Sequence, residues 1–177
     1  GGDHSLAMGS IAGASRVAEK LGVLWIDTHP DVNTPETSLT GHIHGMPLAA
    51  AMGFCQDSLP RSTAMGKTVP MVKPASVAFL GIRDIDVAEE DLIVEHNIFA
   101  RTMDEWHDLG ILEGLKEAIA HLVSQGVDAI HVDFDLDVLL TGHELWGAYA
   151  EVPAIAVHDL LQRNPDPADA EIRVALA

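Results

Sequence analysis

Three short apolar runs each deliver acidic side chains at their carboxyl ends, and this pattern restricts the fold more than any other feature. Val23-Leu24-Trp25-Ile26 leads into Asp27-Thr28-His29-Pro30-Asp31. Residues 76–82 lead into Arg83-Asp84-Ile85-Asp86, with Glu89 and Glu90 close behind. Ala129-Ile130-His131-Val132 leads into Asp133-Phe134-Asp135-Leu136-Asp137. Uniformly apolar strands are buried on both faces, as in a parallel sheet. Helical periodicity fills the intervals. The spacing predicts helices over 6–21, 46–52, 91–95, 103–109 and 111–124, and a further strand over 98–100. Leu112, Leu115, Ile119 and Val123 form the expected apolar face of the long helix. Gly22 and Gly126 are read as helix stops. Polar loops are expected over 32–45 and 163–169, and a surface excursion over 56–74. Strands alternating with helices imply an α/β fold with a mainly parallel sheet. Ligands of such sheets bind beyond the carboxyl ends of the strands, where these acids sit.

With 177 residues, of which 47% are hydrophobic, the chain is expected to form a single domain over 1–177. Its mean hydropathy of +0.16 fits a folded chain. A formal charge of -17 argues against a nucleic-acid partner, since phosphate binding needs a basic face. No apolar run approaches the roughly 20 residues of a membrane span. A single cysteine, Cys55, and the lack of a leader-like start lead to the expectation of a cytoplasmic protein. The early first motif leads to the expectation of an incomplete chain with upstream strands missing.

In an extended strand, side chains two apart share a face. Asp27, His29 and Asp31 would converge if the strand persisted to Asp31. Asp133, Asp135 and Asp137 would share a face in the same way. Two carboxylates and an imidazole suit a divalent ion of intermediate hardness, such as manganese or zinc. Three clustered carboxylates repel one another unless a cation or protons intervene. The ordinary alternative is a strand end followed by a polar turn. Asp86 and Glu89 have a similar alternative as the first-turn acids of a helix, and Asn33 and Thr40 as turn residues.

Gly1-Gly2-Asp3-His4-Ser5, Asp27-Thr28-His29-Pro30-Asp31 and Phe134-Asp135-Leu136-Asp137-Val138-Leu139 occur in the order and spacing of the ureohydrolase metal motifs. The chain resembles that family from Gly1 to about Leu139, and within it the arginases. The resemblance implies a three-layer α/β/α arginase-like fold and two manganese ions. It implies that Asp27 and Asp135 bridge the ions. His4 and Asp31 would complete one site, His29 and Asp137 the other. Thr28 stands where the family usually has Ala, and Asp133 where it usually has a small polar residue. Asp133 is read as a support and not as a ligand. The loop Asp31-Val32-Asn33-Thr34-Pro35, Thr37, Thr40 and Gly41 resembles the arginase substrate loop, although His42 replaces a usual Asn. By that resemblance Asn33 and Thr40 contact a substrate α-carboxylate, while Asp86 and Glu89 receive its α-ammonium. His44 shuttles protons, and Asp137 assists proton transfer to the leaving amine.

The implied reaction is hydrolysis of L-arginine to L-ornithine and urea by a trimeric or hexameric enzyme. Agmatinase or another guanidino-substrate hydrolase is the nearest rival. An inactive metal-binding paralogue is another, because the stretch from Leu140 onward does not follow the family pattern. Glu144 and Glu151 are candidates for the guanidinium-binding glutamate by residue type alone. A zinc deacetylase of similar fold is less favoured, for want of an adjacent His-His pair; Tyr149 is the only tyrosine.

Overall fold

A computed structural model describes residues 3–55, 70–139 and 173–176. The expectations for Gly1 and Gly2, for most of the 56–74 excursion, for Glu144, Glu151 and Tyr149, and for the 163–169 loop lie outside them.

Among the described residues, five parallel strands form one sheet in the order β3-β2-β1-β4-β5. These are β1 (Leu21–Ile26), β2 (Val77–Ile82), β3 (Phe99–Thr102), β4 (Ala129–Phe134) and β5 (Arg173–Leu176). Every residue of β1 and β2 is buried, as their uniform apolarity predicts. Helices α1 (Ala7–Ala14), α2 (Pro47–Met52) and α3 (Val87–Glu95) cover one face. There Ile11, Leu48 and Ile93 pack with Val23, Trp25 and Phe79. Helices α4 (Met103–Leu109) and α5 (Ile111–Ser124) cover the other. There Trp106, Leu115 and Leu122 pack with Leu24, Leu80 and Ile130. The architecture is the expected three-layer α/β/α fold. Among the described residues, no helix is long and apolar enough to cross a membrane.

Several local expectations need correction. The first helix stops at Ala14 instead of reaching Leu21. The Ser15 hydroxyl bonds back to the Ala12 carbonyl at 2.9 Å, and the Asp128 carboxylate captures the Glu19 and Lys20 amides. Both contacts offer the backbone an alternative to another helical turn. Leu21 and Gly22 join the strand. A Cβ on Gly22 would lie 3.3 Å from the Val127 methyls, a tight contact that glycine avoids. The third helix begins at Val87, four residues early, because Asp86 and Glu89 form a capping box. Helix α5 buries Gly114, Leu115, Ala118 and Leu122, while Leu112 and Val123 are partly exposed. The helix is rotated so that Gly114 faces α4. A Cβ on Gly114 would overlap the Trp106 indole.

Candidate metal centre

The carboxyl ends of β1, β2 and β4 meet at one edge. The register pairs Trp25 with Asp133 and Ile26 with Phe134, so Asp27 and Asp135 emerge side by side. Asp27 N donates to the Leu80 carbonyl, and Asp135 N to the Ile26 carbonyl.

Asp27, His29 and Asp31 do not meet at one point as an extended strand would bring them; they divide between two groups that share Asp27. β1 ends at Ile26. His29 N bonds back to Asp27 Oδ1 at 2.8 Å, turning the chain at once. Asp31 sits in the left-handed region, with φ 50. An Asp tolerates that conformation better than most residues. The Asp31 carbonyl accepts the Leu48 and Ala49 amides at the start of α2, which holds the turn in place. The third motif is corrected similarly. Asp133 lies in β4, Asp135 follows it, and Asp137 sits in a 3-10 turn, Leu136–Leu139. Asp137 N bonds to Asp135 Oδ1 at 3.0 Å, so these acids are gathered by a turn and not by strand alternation.

Among the described residues, two groups of donors result, His4 with Asp27 and Asp31, and His29 with Asp27 and Asp137; within each, donor atoms lie within 4.8 Å of one another. Asp27 belongs to both. His4 Nδ1 lies 3.2 Å from Asp27 Oδ2, 3.0 Å from Asp31 Oδ2 and 3.5 Å from Asp135 Oδ2. His29 Nδ1 lies 3.1 Å from Asp137 Oδ2 and 3.5 Å from Asp27 Oδ1. Asp135 stands beside the first group through one oxygen, and its other oxygen accepts the Asp137 amide.

The donor set fits divalent cations. A single ring nitrogen cannot satisfy three carboxylate oxygens. Asp27 Oδ2 is buried without a hydrogen-bond partner among the described residues, despite its 3.2 Å approach to His4 Nδ1. An orphaned carboxylate oxygen of this kind is costly unless a cation meets it. Mixed oxygen and nitrogen donors suit an ion such as manganese or zinc.

The electrostatics point the same way. Burial pushes the Asp27 carboxyl up to about 6, against the facing His4 ring and the bond from the His29 amide; the charges of Asp137 and Asp31 raise it further. Burial would lower the His4 imidazole, but hydrogen bonds to Asp133, Asp27 and Asp31 outweigh it and push the ring up to about 12. The group is thus an excess of negative charge crowded around a point.

A cavity of about 360 Å³ opens over the donors, lined by both histidines and by Asp31, Asp135 and Asp137. That volume falls at the small end of the ~300–1,000 Å³ typical of small-molecule sites. Its wall carries Asn33, Thr40, His44, Asp86 and Glu89, so every predicted substrate residue borders the same space. Among the described residues, no lysine or arginine lines it. Asn33 Nδ2 donates to Asp86 Oδ2 at 2.8 Å, placing a neutral donor beside a carboxylate. Glu89 is 5% exposed, and both oxygens are used: Val32 N donates to one at 3.0 Å, Asp86 N to the other at 3.1 Å. It ties the loop to the start of α3. Burial pushes its carboxyl up to about 7. Thr40 is exposed, and its hydroxyl accepts the His42 amide. His44 is half exposed, with Nδ1 3.5 Å from Asp3 Oδ2 and its ring 5.0 Å from that of His42.

Sequence reasoning missed several residues. Ser38 and Asp84 line the cavity, and Asp84 Oδ2 lies 3.6 Å from His29 Nε2. Trp25, read as packing alone, stacks on His4 and donates its indole hydrogen to the His29 carbonyl at 2.9 Å. The Thr28 hydroxyl and the Arg83 guanidinium both donate to the Asp137 carbonyl, at 3.0 and 2.8 Å. Only the adjacency of these residues to the motifs marked them in the sequence.

The model of the arginase family matches residues 1–143. Over 139 residues the chain is 45% identical to an arginase of Bacillus caldovelox, covering 78% of this chain and 45% of that protein. The native structure of the Bacillus caldovelox arginase superposes with a TM-score of 0.71, at 45% identity, covering 77% of this chain and 44% of that one. An Entamoeba histolytica arginase in complex with L-ornithine superposes at 0.67 with 39% identity, covering 77% and 45%. The chain therefore spans a little under half the length of the relatives it matches.

Proposed function

Because this chain belongs to the arginase family, we propose that the protein hydrolyses the guanidinium group of L-arginine, giving L-ornithine and urea. One observation carries the reading: a single cavity joins two donor groups sharing Asp27 to a hydrogen-bonded Asn33–Asp86 pair. An α-amino acid carries a carboxylate and an ammonium on one carbon. A neutral amide donor beside a carboxylate matches that pair of charges.

His4, Asp27 and Asp31 would hold one divalent cation, and Asp27, His29 and Asp137 a second, with Asp135 drawn in as the other bridge. Manganese is the proposed ion. Such a pair supplies a nucleophile made from water near neutral pH and polarises the attacked group. The protein's own residues do the rest. Asn33 and Thr40 bind the α-carboxylate. Asp86 receives the α-ammonium, held in place by Glu89 through its backbone amide. The acidic wall favours the cationic guanidinium. Hydrolysis adds water across one C–N bond, so the leaving amine must gain a proton. In this reading Asp137 passes it, and half-exposed His44 exchanges protons with solvent.

The test separates arginine from agmatine, which lacks the α-carboxylate. Asn33→Ala and Thr40→Ala should each raise KM for arginine about 10- to 100-fold, the worth of a hydrogen bond to a charged group. Unchanged KM would remove the carboxylate assignment and favour a decarboxylated substrate.

A further inference from the structure

His4 is held at both ring nitrogens and on one ring face. It stacks on Trp25 with centroids 4.6 Å apart and planes 16° from parallel. Its Nδ1 faces the carboxylates of Asp27, Asp31 and Asp135. Its Nε2, across the ring, lies 3.0 Å from Asp133 Oδ1. Asp133 is the cross-strand neighbour of Trp25, so one pair of adjacent strand positions supplies both the stacking surface and the acceptor. Asp133 is 6% exposed, and its other oxygen faces the buried His131 imidazole at 3.8 Å. His131 Nε2 in turn meets the Ser10 hydroxyl at 3.3 Å, from α1. A carboxylate can only accept hydrogen bonds. Asp133 therefore calls for a hydrogen on His4 Nε2, and with a cation among the carboxylates that converge on Nδ1, that nitrogen is left to offer its lone pair.

We infer that Asp133 is a positioning residue that holds His4 in its Nε2–H form and assigns Nδ1 as the atom that binds the cation. The inference rests on the metal-site reading above. A carboxylate on the far nitrogen of a ligating histidine fixes the ring and strengthens it as a donor, and losing such a partner costs about 10- to 100-fold in metal affinity. Asp133 does not itself touch the cation.

Two measurements test it. Calorimetric titration with manganese should show about 10- to 100-fold weaker binding in Asp133→Ala. Asp133→Asn should lose less, because its amide oxygen still accepts the Nε2 hydrogen. A role confined to filling space would not distinguish the amide from the carboxylate in this order. In the unsubstituted protein loaded with cadmium-113, nitrogen-15 spectra should show cadmium coupling at His4 Nδ1 and a retained hydrogen at Nε2. Coupling at Nε2, or manganese affinity in Asp133→Ala within twofold of the parent, would overturn the inference. The cadmium spectrum needs no substitution, so it decides the assignment even if a variant does not fold. Failure of the unsubstituted protein to bind either ion would instead overturn the metal-site reading, and this inference with it.

Discussion

Gly81→Ala should both destabilise the protein and weaken its metal site. Gly81 lies at a register shift between β2 and β3, with φ +91. Bulged positions of this kind use glycine because its backbone reaches positive φ freely. An alanine in a left-handed conformation costs about 1–2 kcal/mol. The added Cβ would also stand 2.6 Å from Val138 Cγ2, 3.3 Å from Met103 Cε and 3.4 Å from the Asp27 carbonyl. Val138 is only 2% exposed and cannot swing into water. Overpacking of this kind costs about 1–3 kcal/mol. Together the terms give about 2–5 kcal/mol, a large part of the roughly 5–15 kcal/mol that holds a domain folded. Val138 follows Asp137 directly, in the turn that Thr28 and Arg83 clamp. Relief of the clash should therefore displace a metal ligand. Urea unfolding in the presence of chelator measures the first effect, and manganese titration the second. Gly9→Ala is the control. It lies exposed in α1 with nothing within 4 Å of its would-be Cβ, and should be neutral or stabilising by up to about 1 kcal/mol. A Gly81→Ala loss below about 0.5 kcal/mol would refute the steric reasoning. A full loss with unchanged manganese affinity would refute the link from Val138 to Asp137.

Two other substitutions test separate parts of the account. Glu89 has its carboxyl pushed up to about 7 from an ordinary 4.5. The folded protein thus holds that proton more tightly than the unfolded chain. The stability this gives is full below pH 4.5 and is lost as pH rises to about 7. In chelator, Glu89→Gln should gain about 3 kcal/mol relative to the parent across that range, from 1.36 kcal/mol per unit; a difference independent of pH would contradict the burial argument. Asp135→Asn should abolish metal-dependent urea release, and full retention would refute its bridging role.

The chemistry was more legible in the sequence than the geometry that assembles it. His4, Asp27, His29, Asp31, Asp135 and Asp137 stood out because side-chain type and order along the chain survive without coordinates. The parallel sheet was legible because β1 and β2 are apolar throughout. What failed was whatever depended on distant partners. The first helix seemed longer than it is because nothing near Glu19 announces that Asp128 will cap its amides. The buried face of α5 was misplaced because Gly114 carries no hydrophobic signal, although the Trp106 contact demands it. Strand alternation seemed to explain both acid motifs, whereas turns at His29 and Asp137 gather them. Asp133 was legible as a support, but not what it supports, since its partner His4 lies 129 positions away.

Urea release from L-arginine by the purified protein, with and without manganese and with agmatine in parallel, tests the central claim most directly. The account predicts release from arginine that requires manganese, with little or none from agmatine. Release from agmatine alone, or from arginine at the same rate in chelator, would contradict it.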